Sequence, residues 1–246
     1  MAEVLFQVGP LTFRTFNLLA ALGFALSMLF LMRFILRNKL SASFLSVHLL
    51  VLLLLAFLGG RLFYGIENSA YFLKNLLDFL AVWDLKLSAF GIFYTGILSL
   101  FFFCRKAREN FWSWLDAVVL TGMLGLIFIH LGHFFDGDFY GKPTDLPWGI
   151  VIDSPAIPFT TPIHPTQLYS ALVSVALFLL GLKRSRRTHL SGVVGTAGIM
   201  LYSLCALGID FLHGVPSFYA QMNFGIIATV SFILLIHCSH KIYQAS

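Results

Sequence analysis

Seven long apolar stretches alternate with short polar connectors along the chain. They run from about Phe16 to Met32, Phe44 to Tyr64, Leu87 to Cys104, Ala117 to Phe135, His164 to Leu182, Leu190 to Leu212 and Phe218 to His237. Each approaches the ~20 residues that a helix needs to cross a bilayer. Lipid admits only helices and closed barrels, because every backbone N–H and C=O must find its partner inside the protein, and no stretch shows the period-two alternation of a barrel strand. The pattern therefore predicts an all-α integral membrane protein of seven transmembrane helices. Nothing basic precedes Arg14, so the first stretch reads as a retained helix and not as a cleavable signal peptide.

The connectors orient the bundle. Arg33, Arg37 and Lys39, then Arg105, Lys106 and Arg108, then Lys183, Arg184, Arg186 and Arg187, and finally Lys241 all fall on one side. That side is expected to be cytoplasmic, which places the N-terminus outside and the C-terminus inside. Two connectors on the outer face are too long to be turns. In 66–86, Phe72, Leu76, Leu80, Trp83 and Leu87 recur every three or four positions with Lys74, Asn75 and Asp78 between them, the pattern of a helix lying in the interface. In 136–163, Pro143, Pro147, Pro155, Pro158 and Pro162 exclude a regular helix, and an ordered outer arm is expected. Phe111 to Trp114, FWSW, reads as an aromatic belt at the inner interface.

Composition narrows this picture. Of 246 residues 59% are hydrophobic and 11% charged, against about 25% charged in soluble domains, and mean hydropathy is +0.87. A water-soluble fold, a disordered chain and a collagen-like repeat are excluded, and residues 1–246 are expected to form a single polytopic membrane domain. The net charge of +5 is accounted for by topology, so no nucleic-acid partner is expected. Cys104, Cys205 and Cys238 form no CxxC pair and read as small packing residues.

Polar groups inside so apolar a bundle need a reason, since a mid-bilayer charge costs about 2.5–3.5 kcal/mol on insertion scales. Arg61 follows two glycines in GGRLFY; it reads either as an arginine snorkelling to the headgroups or as a phosphate-binding guanidinium. The densest cluster is HLGHFFDGD, His130 to Asp138. His130 and His133 share a helix face, Asp136 and Asp138 follow, and His164, Asp210 and His213 are expected near the same leaflet. Three readings stay open: helix-capping polar residues, a lipid-headgroup or acid/base site, and a divalent metal site. In HPTQLY, Pro165 suits a helix start and Gln167 and Tyr169 lie near the outer surface. Tyr202 and Asp210, eight apart, share a face two turns apart in depth.

With these residues the chain resembles the bacterial prolipoprotein diacylglyceryl transferases, from Arg14 to about His213. The resemblance rests on GGRLFY, VWD, HLGHFFDGDFYGKPTDLPWG, HPTQLY and Tyr202. It implies a multi-pass protein of the bacterial cytoplasmic (inner) membrane with no cofactor. The implied reaction moves the diacylglyceryl group of phosphatidylglycerol to the lipobox cysteine of a prolipoprotein, releasing glycerol phosphate. Such a step requires a base to form the thiolate, and donors to stabilise the departing phosphate.

Residue by residue, the family signature GRLGNFINGE corresponds to IHLGHFFDGD. His130 stands for the phosphate-binding arginine, His133 and Asp136 for asparagines, and Asp138 for glutamate. Phe90 occupies the place of the family's proposed histidine base. Tyr202 is kept, Ala206 replaces an arginine, and Asp210 replaces the following glutamate. Phe16 stands for a tyrosine and Ser170 for a glutamate, while Arg61 and Tyr64 are retained. The expected catalytic set is His130, His133 and Asp210, with Asp210 or Asp136 orienting a histidine. The expected substrate-binding set is Arg61, Tyr64, Asp136, Asp138, His164, Gln167 and Tyr202, and no metal is assigned. A divergent glyceryl-lipid transfer on the same scaffold is a second form of this reading, and the alternative is a catalytically inactive relative that binds a lipid or lipoprotein.

Overall fold

Each apolar stretch forms a helix whose ends fall within a few residues of its apolar limits, most of them running past the C-terminal limit. The computed structural model describes residues 4–8, 11–80, 86–152, 157–186 and 192–245; Trp83, Asp84, Pro155, Arg187 and Leu190, singled out above, lie outside this set. The helices are α1 (Thr15–Arg37), α2 (Ala42–Glu67), the short α3 (Ser69–Phe72), α4 (Ala89–Ala107), α5 (Phe111–Asp136), α6 (Thr166–Ser185), α7 (Val193–Asp210) and α8 (Phe218–Ala245). Seven of them are long and apolar enough to cross a membrane, at the seven places the apolar pattern indicates. The chain is thus a multi-pass membrane protein. Side chains such as Leu50, Leu98 and Leu172 are exposed, as faces that meet lipid require.

Polar groups set the helix ends. The Ser41 hydroxyl accepts from Phe44 N at 3.1 Å, and Asn110 Oδ1 accepts from Trp112 N at 3.0 Å and Ser113 N at 3.3 Å. These are N-caps that satisfy otherwise orphaned donors. Arg108, at φ 57°, ends α4 in the left-handed region. A short hairpin absent from the sequence expectations precedes α1: β1 (Val4–Val8) pairs antiparallel with β2 (Leu11–Arg14).

The chain divides into two compact units, one of Met1–Phe34 with Asp116–Ser246 and one of Ile35–Leu115. In the smaller unit α2 packs on α4 at backbone distance. A Cβ on Gly91 would strike the Gly59 carbonyl, and one on Gly59 would strike the Thr95 side chain. The FWSW segment is the first turn of α5 and not an interfacial belt throughout: Trp114 is 1% exposed and packs at a tilt against Phe44, ring centres 4.7 Å apart. The Asn110 cap starts the helix early enough to turn this indole inward.

The single amphipathic helix anticipated across 66–86 is also broken. It is replaced by α3 and a 3-10 turn at Leu76–Leu80. Asn68 Nδ2 donates to Tyr64 O at 2.9 Å and Asn75 Nδ2 to Tyr71 O at 3.1 Å. Asparagine side chains that compete for backbone partners in this way favour turns over helix continuation.

In the larger unit α6 packs on α7 and α7 on α8. Asp116, fully buried on α5, caps α7 from outside: its carboxylate accepts from Gly192 N at 2.9 Å and Gly195 N at 2.5 Å. An anion there also complements the positive end of the helix dipole. Among its described residues the proline-rich segment after α5 contains no regular helix, and Pro143 and Ile150 each pair with Ile163 in antiparallel bridges. Ile152, Ile157 and Ile163 form a small core beneath Tyr140, Ile150 and Phe159.

Candidate active site

The polar residues of the larger unit gather at the end where α5 and α7 finish and α6 and α8 begin. A turn after α5 starts the arrangement: Gly137, at φ 77°, is followed by Phe139, whose φ of 56° is strained for a residue with a bulky side chain. The α6 N-terminus holds this turn. The Thr166 hydroxyl donates to Phe139 O at 2.5 Å, and Gln167 Nε2 donates to Asp138 O at 2.6 Å. Gly141 bridges to His213, Lys142 N donates to Leu212 O at 2.8 Å, and Gly214 N donates to Tyr140 O at 2.8 Å. The turn after α5 and the turn after α7 are therefore stitched through backbone bonds.

Two layers result. The deep layer is His130 and Tyr202, with Nε2 and the hydroxyl 2.9 Å apart. At 1.5 Å per residue, Tyr202 lies about 12 Å below Asp210 along α7. In the mouth layer, His133 sits between the rings of Phe16 and Phe139, at 4.9 and 4.7 Å, with Nδ1 3.7 Å from Asp138. Asp136 is the half-buried last residue of α5, and Asp138 is exposed. His164 Nδ1 lies 3.2 Å from the Tyr169 hydroxyl, which accepts from Trp148 Nε1 at 2.9 Å. Gln167 is 2% exposed, and its Oε1 is buried without a hydrogen-bond partner.

Asp210, 3% exposed, closes α7. Its Oδ2 accepts from Gln221 Nε2 at 2.9 Å and from Ser217 N at 3.3 Å, while Oδ1 faces His213 Nδ1 at 3.2 Å. Asp210 thus orients His213, where the sequence pointed to His130 or His133. His213, with Phe139, Tyr140 and Val215, lines an open cavity of ≈ 180 Å³. His213 was noted in the sequence but given no role; its position three residues past Asp210 was the available signal. Phe139 was missed altogether, since nothing in its sequence context announces a left-handed backbone.

Arg61 and Tyr64 belong to the smaller unit. Arg61 is 3% exposed, and it donates through Nε to Phe79 O at 3.0 Å, through Nη1 to Lys86 O at 3.0 Å and through Nη2 to Asp78 O at 2.7 Å. The rings of Tyr64, Phe72 and Phe79 surround the guanidinium at 5.7–6.0 Å. Phe90, at the family's base position, is a half-buried hydrocarbon in the first turn of α4. Among the described residues no three His, Cys, Asp or Glu side chains are grouped to hold a metal ion.

The chemistry available is proton exchange, through paired histidines and carboxylates, beside a small open cavity and an aromatic wall. Comparison with known proteins meets this site from the sequence side. The family model for prolipoprotein diacylglyceryl transferase matches residues 3–240. A phosphatidylglycerol–prolipoprotein diacylglyceryl transferase of Synechococcus sp. (strain CC9902) is 32% identical over 219 residues, 85% of this chain and 78% of its own. The protein of the same name from Solidesulfovibrio magneticus is 33% identical over 211 residues, 84% and 79% of the two chains. That from Clostridium tetani is 28% identical over 239 residues, covering 96% and 93%.

Proposed function

The chain belongs to the prolipoprotein diacylglyceryl transferase family, and on that premise we propose that it transfers the diacylglyceryl group of phosphatidylglycerol to the lipobox cysteine of a prolipoprotein. The observation that carries this reading is the family match across nearly the whole chain, with relatives that carry the activity in their names covered over most of their length. The clustered His and Asp residues support it from the structural side. The protein works in the bacterial cytoplasmic membrane, with its N-terminus and both arms outside, where exported preproteins emerge, and its C-terminus in the cytoplasm.

His130 and His133 are donors to the headgroup phosphate, standing where the family has an arginine and an asparagine. The hydroxyl of Tyr202 fixes the ring of His130. Asp136, Asp138, His164 and Gln167 shape the approach to the headgroup from the arm side. Arg61 and Tyr64 act through the 66–86 segment, which Arg61 ties down by its backbone carbonyls. Hydrogen-bond donors placed where phosphate charge develops lower the barrier most effectively in a site that excludes water.

Expression in a bacterial strain depleted of its own diacylglyceryl transferase tests the reading. Rescue of growth and of lipoprotein modification is expected. Failure by a chain that reaches the membrane at normal abundance would reject it in favour of a lipid-binding relative.

A further inference from the structure

We propose that His213, oriented by Asp210, is the general base that removes the proton from the acceptor cysteine; the proposal rests on the transferase reading above. The site needs a base, because the position at which the family resemblance expects one holds Phe90, which cannot carry a proton. Four histidines of the larger unit stand near the site, and their surroundings separate them. His130 is engaged with Tyr202 two turns below the mouth. His133 is wedged between two aromatic rings, its Nδ1 buried without a hydrogen-bond partner. His164 pairs with a tyrosine hydroxyl. Among the described residues, His213 combines a buried carboxylate partner with a place in the cavity wall.

The geometry fixes the tautomer. Asp210 is buried and held on Oδ2 by Gln221 and Ser217, so Oδ1 presents a fixed acceptor to Nδ1 of His213. The ring proton therefore sits on Nδ1, which leaves the Nε2 lone pair to accept another. A carboxylate in this position also stabilises the imidazolium once it forms. The cavity, at ≈ 180 Å³, far exceeds the ~10–15 Å³ that holds one water, and leaves space for a cysteine side chain. Lys142, whose Nζ donates to Phe211 O at 2.9 Å, adds a cation beside the same turn.

In the step, the Sγ–H proton passes to His213 Nε2. The sulfur electron pair attacks the glyceryl carbon that bears the phosphate, forming the C–S thioether bond. The C–O bond breaks with its electron pair moving to the phosphate oxygen, and glycerol phosphate departs. The imidazolium returns its proton to that product or to water.

Purified protein is assayed with phosphatidylglycerol micelles and a lipobox peptide. His213→Gln is expected to lower kcat by about a hundredfold or more, the scale of a lost general base. KM for phosphatidylglycerol should stay within about twofold, and His213→Ala should regain turnover as imidazole is added. A His213→Gln protein within about threefold of the wild-type kcat would overturn the proposal. So would a His213→Ala protein that folds but ignores imidazole. Should the variants lose their helical content, diethyl pyrocarbonate on the unaltered protein replaces them. Inactivation must then track acylation of the His213 peptide and be slowed by the lipobox peptide; inactivation that tracks another histidine overturns the assignment. An inactive wild-type protein would instead strike at the transferase reading itself.

Discussion

Arg61 in the smaller unit and Asp210 in the larger are each 3% exposed, yet their charges are used in opposite ways. Arg61 directs its N–H groups to the carbonyls of Asp78, Phe79 and Lys86, so its charge organises backbone that lies outside the long α-helices. Asp210 gives one oxygen to Ser217 and Gln221 and turns the other to a histidine on a cavity wall. A buried charge that ties down three backbone carbonyls serves the fold. One whose partner can change protonation is equipped for chemistry.

The contrast can be broken most forcefully at Arg61. Arg61→Leu leaves three carbonyls without these donors, at about 1–3 kcal/mol for each that stays buried and unsatisfied. A loss of about 3 kcal/mol or more in apparent stability is expected, read from thermal unfolding in detergent, with faster amide exchange in 76–80. KM for phosphatidylglycerol measured on the folded fraction should hold. A raised KM at unchanged stability would make Arg61 a phosphate contact and erase the contrast.

Asp210→Asn should do the reverse. The amide keeps the size and the contact with Ser217 but no longer selects the Nδ1 proton of His213. A fall in kcat of about a hundredfold, ~2.7 kcal/mol of barrier, is expected from initial rates, with a smaller change in thermal midpoint. Unchanged turnover would reduce Asp210 to a second structural charge.

The smallest effect is expected at the deep layer. Tyr202→Phe removes one hydrogen bond to His130, worth about 1 kcal/mol, and should raise KM for phosphatidylglycerol by several-fold with little change in kcat. A collapse of kcat in lipid-titration kinetics would move the reaction centre down to His130.

The bundle itself was legible because lipid constrains it: a stretch long and apolar enough to span has no other regular structure than helix. The absence of regular helix among the described residues of the proline-rich segment was legible for a related reason, since its prolines forbid it. Pairings were not legible where they depend on turns. Asp210 meets His213 in the turn that closes α7, so the three-residue spacing hints at the contact without fixing it. Arg61 chooses carbonyls 17 to 25 residues away, and a carbonyl carries no residue-type signature. Asp116, the external cap of α7, sits at the edge of an apolar run, and nothing in the sequence marks the distant N–H groups it accepts from. Asn68 and Asn75, whose side chains compete for backbone carbonyls, outweigh the helical spacing of Phe72, Leu76 and Leu80.

The most direct test of the central claim is mass spectrometry of a lipobox peptide after incubation with purified protein and phosphatidylglycerol. A peptide heavier by one diacylglyceryl group on its cysteine is predicted, with stoichiometric glycerol phosphate and a marked loss of product when His130→Ala and His133→Ala are combined. An unmodified peptide from folded, lipid-bound protein would contradict it.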